Sequence, residues 1–111
     1  MPAKSVIYQF AKGDQTAPNP SATAILRAGD LADRTTLYRH DLAYAAIPTL
    51  PKNPHTFMIA TNVAAFRPIA LGAQEQIAVF FSTGEIIHPK PIQFFEVPIV
   101  LPLPEDFNFI P

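Results

Sequence analysis

In the stretch EQIAVFFS, residues 75–82, period-two alternation sets Ile77, Val79 and Phe81 on one side of an extended chain and Phe80 on the other. Apolar side chains on both sides predict a strand at the centre of a sheet. Its surroundings extend the pattern: TFMIATN (56–62), AAFRPIAL (64–71), EIIH (85–88) and IQFFEVPIV (92–100) are short runs rich in β-branched and aromatic residues, separated by LGAQ, STG and HPKP. Strands recurring about every ten residues predict a mainly β fold, an antiparallel sandwich or partly open barrel of about 6–8 short strands with at most one short helix. Pro68 and Pro98 fall inside two of these runs, and proline donates no ladder hydrogen bond, so those strands belong at sheet edges or carry bulges.

Towards the amino terminus, SVIYQFA (5–11) alternates Val6, Tyr8 and Phe10 against Ser5, Ile7, Gln9 and Ala11, the pattern of a half-buried strand. KGDQTAPNPS (12–21) has no apolar period and reads as a surface loop, and ATAILRA (22–28) returns to strand-like composition. Between 29 and 46 two templates compete. Leu31, Tyr38, Leu42 and Ala45 fit one helical face with Asp30 as N-cap and Arg34 four residues on, while Tyr38, His40, Leu42 and Tyr44 alternate as a strand; a short helix or helical turn is expected. Prolines at 48, 51 and 54 repeat every three residues, the period of polyproline II, and mark 47–54 as a stiff connector.

The chain of 111 residues predicts one domain over 1–101, followed by an extended arm over 102–111. Charged residues are 15% of the total, below the roughly 25% of ordinary soluble domains, so part of the surface is expected to face another protein. A net charge of −1 with scattered basic residues disfavours nucleic acid, and no stretch has the length of a membrane span. There is no cysteine, hence no disulfide, thiolate nucleophile or Cys-ligated metal. With no signal-peptide pattern in MPAKSVIYQF, a cytoplasmic or virion location is expected.

Motifs for chemistry are sparse. His40, His55 and His88 show none of the close spacings of metal ligands, the serines lie outside any nucleophile motif, and the glycines are isolated. Glu75, Glu85 and Glu96 lie on neighbouring predicted strands, where charges ordinarily keep a sheet soluble. No catalytic residue, metal ligand or cofactor site is assigned. The densest polar cluster, Tyr38, Arg39, His40, Asp41 and Tyr44, is a candidate contact for a ligand or partner.

The terminal PIVLPLPEDFNFIP (98–111) carries seven large apolar side chains, worth at most about 10–20 kcal/mol on full burial. Ordering the segment costs a comparable sum, at roughly 1–2 kcal/mol per residue, and its prolines reduce that cost. The segment is therefore expected to lie along a surface, either its own sheet or a partner, and Leu101, Leu103, Phe107, Phe109 and Ile110 are the candidate contacts to copies of this chain or another structural protein. Together these features predict a non-enzymatic structural or assembly subunit, with a capsid coat or decoration protein as one form of it. The alternatives are a small-ligand-binding β-barrel or accessory enzyme subunit, with a pocket lined by Phe57, Phe66, Phe80 and Phe94, and a small hydrolase or lyase using His40 or His88.

Overall fold

A computed structural model describes residues 6–111, so Ser5 and the start of the first expected strand lie outside the described residues. The fold is α/β. Among the described residues there are three strands, β1 (Tyr8–Ala11), β2 (Thr35–Tyr38) and β3 (Phe95–Glu96), and three α-helices, α1 (Asn19–Gly29), α2 (His40–Ala46) and α3 (Arg67–Thr83), with short 3-10 turns at Ala32–Arg34, Phe57–Ile59 and Ile92–Phe94. The strands form one sheet in the order β1-β2-β3, parallel between β1 and β2 and antiparallel between β2 and β3. The expected all-β sandwich or barrel of 6–8 strands is overturned, and so is the capsid reading to the extent that it drew on a β-sandwich.

EQIAVFFS is the last half of α3, not a strand. The buried residues of α3 are Ile69, Ala70, Gly72, Ala73, Gln76 and Phe80, a helical face with steps of three and four. Small residues and a glutamine occupy most of that face, so a search for large apolar side chains sees only the β-branched and aromatic content beside it. Phe80 is buried and its neighbour Phe81 is 79% exposed, the split a helix imposes on adjacent residues. Pro68 opens the helix in its first turn, where its missing N–H costs nothing, and Gly84 closes it in the left-handed region, its N–H donating to the Phe80 carbonyl at 2.8 Å. The expected sheet edge at Pro68 and the expected strand break at STG are therefore the two ends of one helix.

The same correction applies to ATAILRA, which lies in α1. Asn19, Ala22, Thr23 and Leu26 are its buried residues, at i, i+3, i+4 and i+7. Asp30, expected to start a helix, ends this one instead, with φ of 52° and its N–H on the Arg27 and Leu26 carbonyls. Region 29–46 follows neither template as read: Thr35–Tyr38, inside the expected helical face, is strand β2, and His40, Leu42 and Tyr44, which alternate like a strand, lie in α2, the short helix expected there.

Alternation along the strands fixes two faces. Ala11 and Tyr38, with Phe95 of β3, join Phe57, Phe66, Ile69 and Ala73 in the larger core on the α3 side. Phe10 and Leu37 join Ala22, Leu26 and Ile99 on the α1 side. Gln76, fully buried, ties α3 to the sheet: its Nε2 donates to Thr36 Oγ1 and to the Ile87 carbonyl, both at 2.7 Å, and its Oε1 accepts from Gln9 Nε2 at 2.6 Å. At Gly72 the Lys90 carbonyl approaches so closely that an added Cβ would collide with it, which is why the helix needs glycine there. No described helix is long and apolar enough to cross a membrane.

Candidate functional site

Three places in the molecule bring together residues with functional potential. The first is the Tyr38–Tyr44 cluster. Tyr38, at the end of β2, and His40, at the start of α2, are fully buried, and Tyr38 Oη and His40 Nδ1 share a hydrogen bond of 2.9 Å. His40 stacks on Phe66 with ring centroids 5.7 Å apart. Burial lowers its pKa from the usual histidine value, against an opposing influence of the Pro51 and Lys52 carbonyls and of Asp41. Those carbonyls lie near the ring without meeting hydrogen-bond geometry, and Nε2 has no partner among the described residues. The Tyr38 hydroxyl is pushed upward by burial and by the charge of Asp41. Both groups are neutral at pH 7, suited to packing.

Arg39 and Asp41 point to the outer side of this core. The guanidinium grips Asp41 through two bonds of 2.9 and 2.8 Å and reaches Glu96 at 2.6 Å, joining α2 to β3. Lys12 adds a cation 3.6 Å from Asp41. The Asp41 hydrogen bond and the two carboxylates raise the Arg39 pKa against the opposing effect of burial. Burial would raise the Asp41 carboxyl, but its bonds to Arg39 and the charges of Lys12 and Arg39 hold it below the ordinary range. Tyr44 is half-buried and its ring lies 6.1 Å from that of His40.

The second place is the terminal segment, which has no helix or strand after β3. Its backbone lies against its own domain. Asn19, fully buried in the first turn of α1, accepts from the Gly13 N–H at 3.0 Å and donates to the Asp106 carbonyl at 2.7 Å and to Asn108 Oδ1 at 2.8 Å. Thr23 and Arg27, one and two turns further along the same stripe, both bond Glu105. Ile99 is buried, and its N–H donates to the Thr35 carbonyl at 2.9 Å. The apolar side chains behave differently. Val100, Leu101, Phe107 and Phe109 are exposed, Leu101 at 66% and Phe107 at 56%, and the Phe107 and Phe109 rings stack with centroids 5.2 Å apart. Leu103 and Ile110 are half-buried.

The third place joins residues far apart in the chain. A groove of about 360 Å³ runs along β1 between α1 and the Phe57–Ile59 turn, lined by Tyr8, Phe10, Ile25, Phe57, Met58 and Ile59. The Asp14–His55 pair also lines it. Asp14 is buried; its Oδ1 accepts the N–H groups of Thr16 and Ala17 at 2.8 and 2.9 Å, and its Oδ2 meets His55 Nδ1 at 3.0 Å. Asn53 Oδ1 accepts from the Gln15 and His55 N–H groups, stitching the 12–18 loop to the 53–55 segment. Ser21 lines the same groove, but no hydrogen bond joins it to His55, so no serine relay is assembled.

Of the pocket expected from Phe57, Phe66, Phe80 and Phe94, all four residues are buried and only Phe57 reaches the groove. His88 bonds the Ile92 carbonyl through Nε2. Asp14 and His55 stand 41 residues apart, and the only local signal was the Asp-x-Thr-Ala turn chemistry of Asp14. Comparison with known proteins returns no matching family model, curated protein or solved structure.

Proposed function

We propose that this chain is a non-enzymatic assembly subunit whose terminal segment presents an apolar contact strip to a second copy of itself. The observation that carries this reading is the division of labour within residues 100–109. Asn19, Thr23 and Arg27 hold the segment through polar groups, while Val100, Leu101, Phe107 and Phe109 are left in solvent. A strip already ordered against its own domain loses little further freedom on docking, which favours association. Stacked phenylalanines exposed together mark a contact surface more than isolated apolar residues do.

The occupant is a second copy because the charge pattern suits like meeting like. A net charge of −1 imposes little mutual repulsion, and the base of the strip carries both signs in Arg27 and Glu105. Arg39 and Lys12 are engaged by carboxylates, which leaves neither free for a polyanion. Sedimentation velocity over a wide concentration range tests the reading. The full chain should self-associate, and the double substitution Phe107→Ser with Phe109→Ser should weaken association at least tenfold while thermal stability changes little. A native chain that stays monomeric at the highest concentration would overturn it.

A further inference from the structure

We propose that the groove beside β1 is a binding site for a small neutral amphiphile, a hydrocarbon body carrying one hydroxyl, with the hydroxyl donating to His55 Nε2. The proposal is independent of self-association. Its volume of about 360 Å³ sits near the lower end of the roughly 300–1,000 Å³ typical of small-molecule sites, and its walls are apolar with polar groups confined to a few positions. Aromatic rings from Tyr8, Phe10 and Phe57 and the thioether of Met58 favour a planar or flexible apolar body.

The polar contact is built rather than incidental. Asp14 is itself buried and held by two backbone N–H groups, so its remaining oxygen is fixed in place for His55. A carboxylate accepts, so the bond at 3.0 Å assigns the imidazole proton to Nδ1. In the neutral ring the lone pair then lies on Nε2; the side chain is partly open to solvent, and no hydrogen bond to Nε2 is found among the described residues. An alcohol or phenol satisfies that acceptor. An anionic head group would instead meet the Asp14 carboxylate in a groove whose described lining holds no Lys or Arg.

Titration of the full chain with 4-butylphenol, followed by amide chemical shifts and calorimetry, tests the assignment. Shifts should concentrate at residues 8–11, 21–25 and 57–59. His55→Phe keeps a ring of similar size, and should weaken 4-butylphenol at least tenfold while leaving binding of butylbenzene unchanged. Asp14→Asn, which weakens the hold on the tautomer, should reduce 4-butylphenol binding by a smaller factor. Circular dichroism confirms that each variant is folded; should His55→Phe not fold, the ratio of 4-butylphenol to butylbenzene affinity in the native chain decides alone. No binding, equal affinity for butylbenzene and 4-butylphenol, or tighter binding of 4-butylbenzoate would each overturn the proposal.

Discussion

On the α3 side of the sheet Tyr38, His40, Ile69, Ala73 and Gln76 are closed to water, whereas on the α1 side Phe10 and Leu37 lie under a helix bordered by a groove and an apolar strip. The closed side is held by direct packing of small residues and by a glutamine whose amide bonds β1, β2 and the Ile87 carbonyl at once. On the open side, polar ties fasten the Asp106 carbonyl and the Asn108 and Glu105 side chains and leave the apolar side chains of the segment outside. Close packing makes the first side intolerant of added volume. The second yields locally, because polar ties to a terminal segment open without dismantling the sheet.

The largest effect is expected on the closed side, where it has least room. Gly72→Ala drives a methyl group into the Lys90 carbonyl, a backbone atom that cannot swing aside as a side chain would. A loss of about 3 kcal/mol in urea unfolding is expected, the upper part of the overpacking range. Retention of native stability would show that the α3 contact is looser than described.

On the open side, Asn19→Ala removes a buried side chain and strands the Gly13 N–H and the Asp106 carbonyl. The expected cost is about 2 kcal/mol, accompanied by faster amide exchange at residues 105–109 while β1 and β2 keep their protection. Equal acceleration across the sheet would contradict the local nature of that tie.

The smallest effect is a dependence on pH, and it belongs to the closed side. Burial lowers the His40 pKa below its usual value of 6.5. Above that value the ring is neutral in both folded and unfolded chains, so stability is at its full value. As the pH falls below about 6.5 the unfolded chain takes up a proton that the buried ring resists, and stability declines by at most about 1.4 kcal/mol per pH unit until the folded ring also titrates. His40→Gln keeps a partner for the Tyr38 hydroxyl and should flatten the urea midpoint between pH 7.5 and 5.5. An unchanged slope would show that His40 is not its source. The lowered Asp41 carboxyl acts in a separate window, its contribution fading only as the pH drops below the ordinary carboxylate range near 3.8.

The lessons differ from element to element. Strand β1 was legible because Tyr8 and Phe10 alternate with Gln9 on a sheet whose faces meet different surroundings. Helix α3 was not, because Ala70, Gly72, Ala73 and Gln76 form the buried face where apolar bulk is expected. Within the Tyr38–Asp41 cluster, nearness in sequence became nearness in space, since a strand and a helix meet there with one residue between them. The Asp14–His55 pair had no counterpart in local sequence, and neither did the grip of Asn19 on residues 106–108.

The scarcity of charge, the apolar terminal segment and the punctuation by proline and glycine are all fixed in the linear chain. These are properties of side chains and of local backbone freedom, which a linear chain already possesses. Only tertiary structure decided that 64–84 is largely helical, that the terminal backbone lies on its own domain, and that Asp14 faces His55 across a groove. Each of those outcomes depends on which surface a segment finds to cover, and an identical run of apolar residues satisfies a helix or a strand according to the partner it meets.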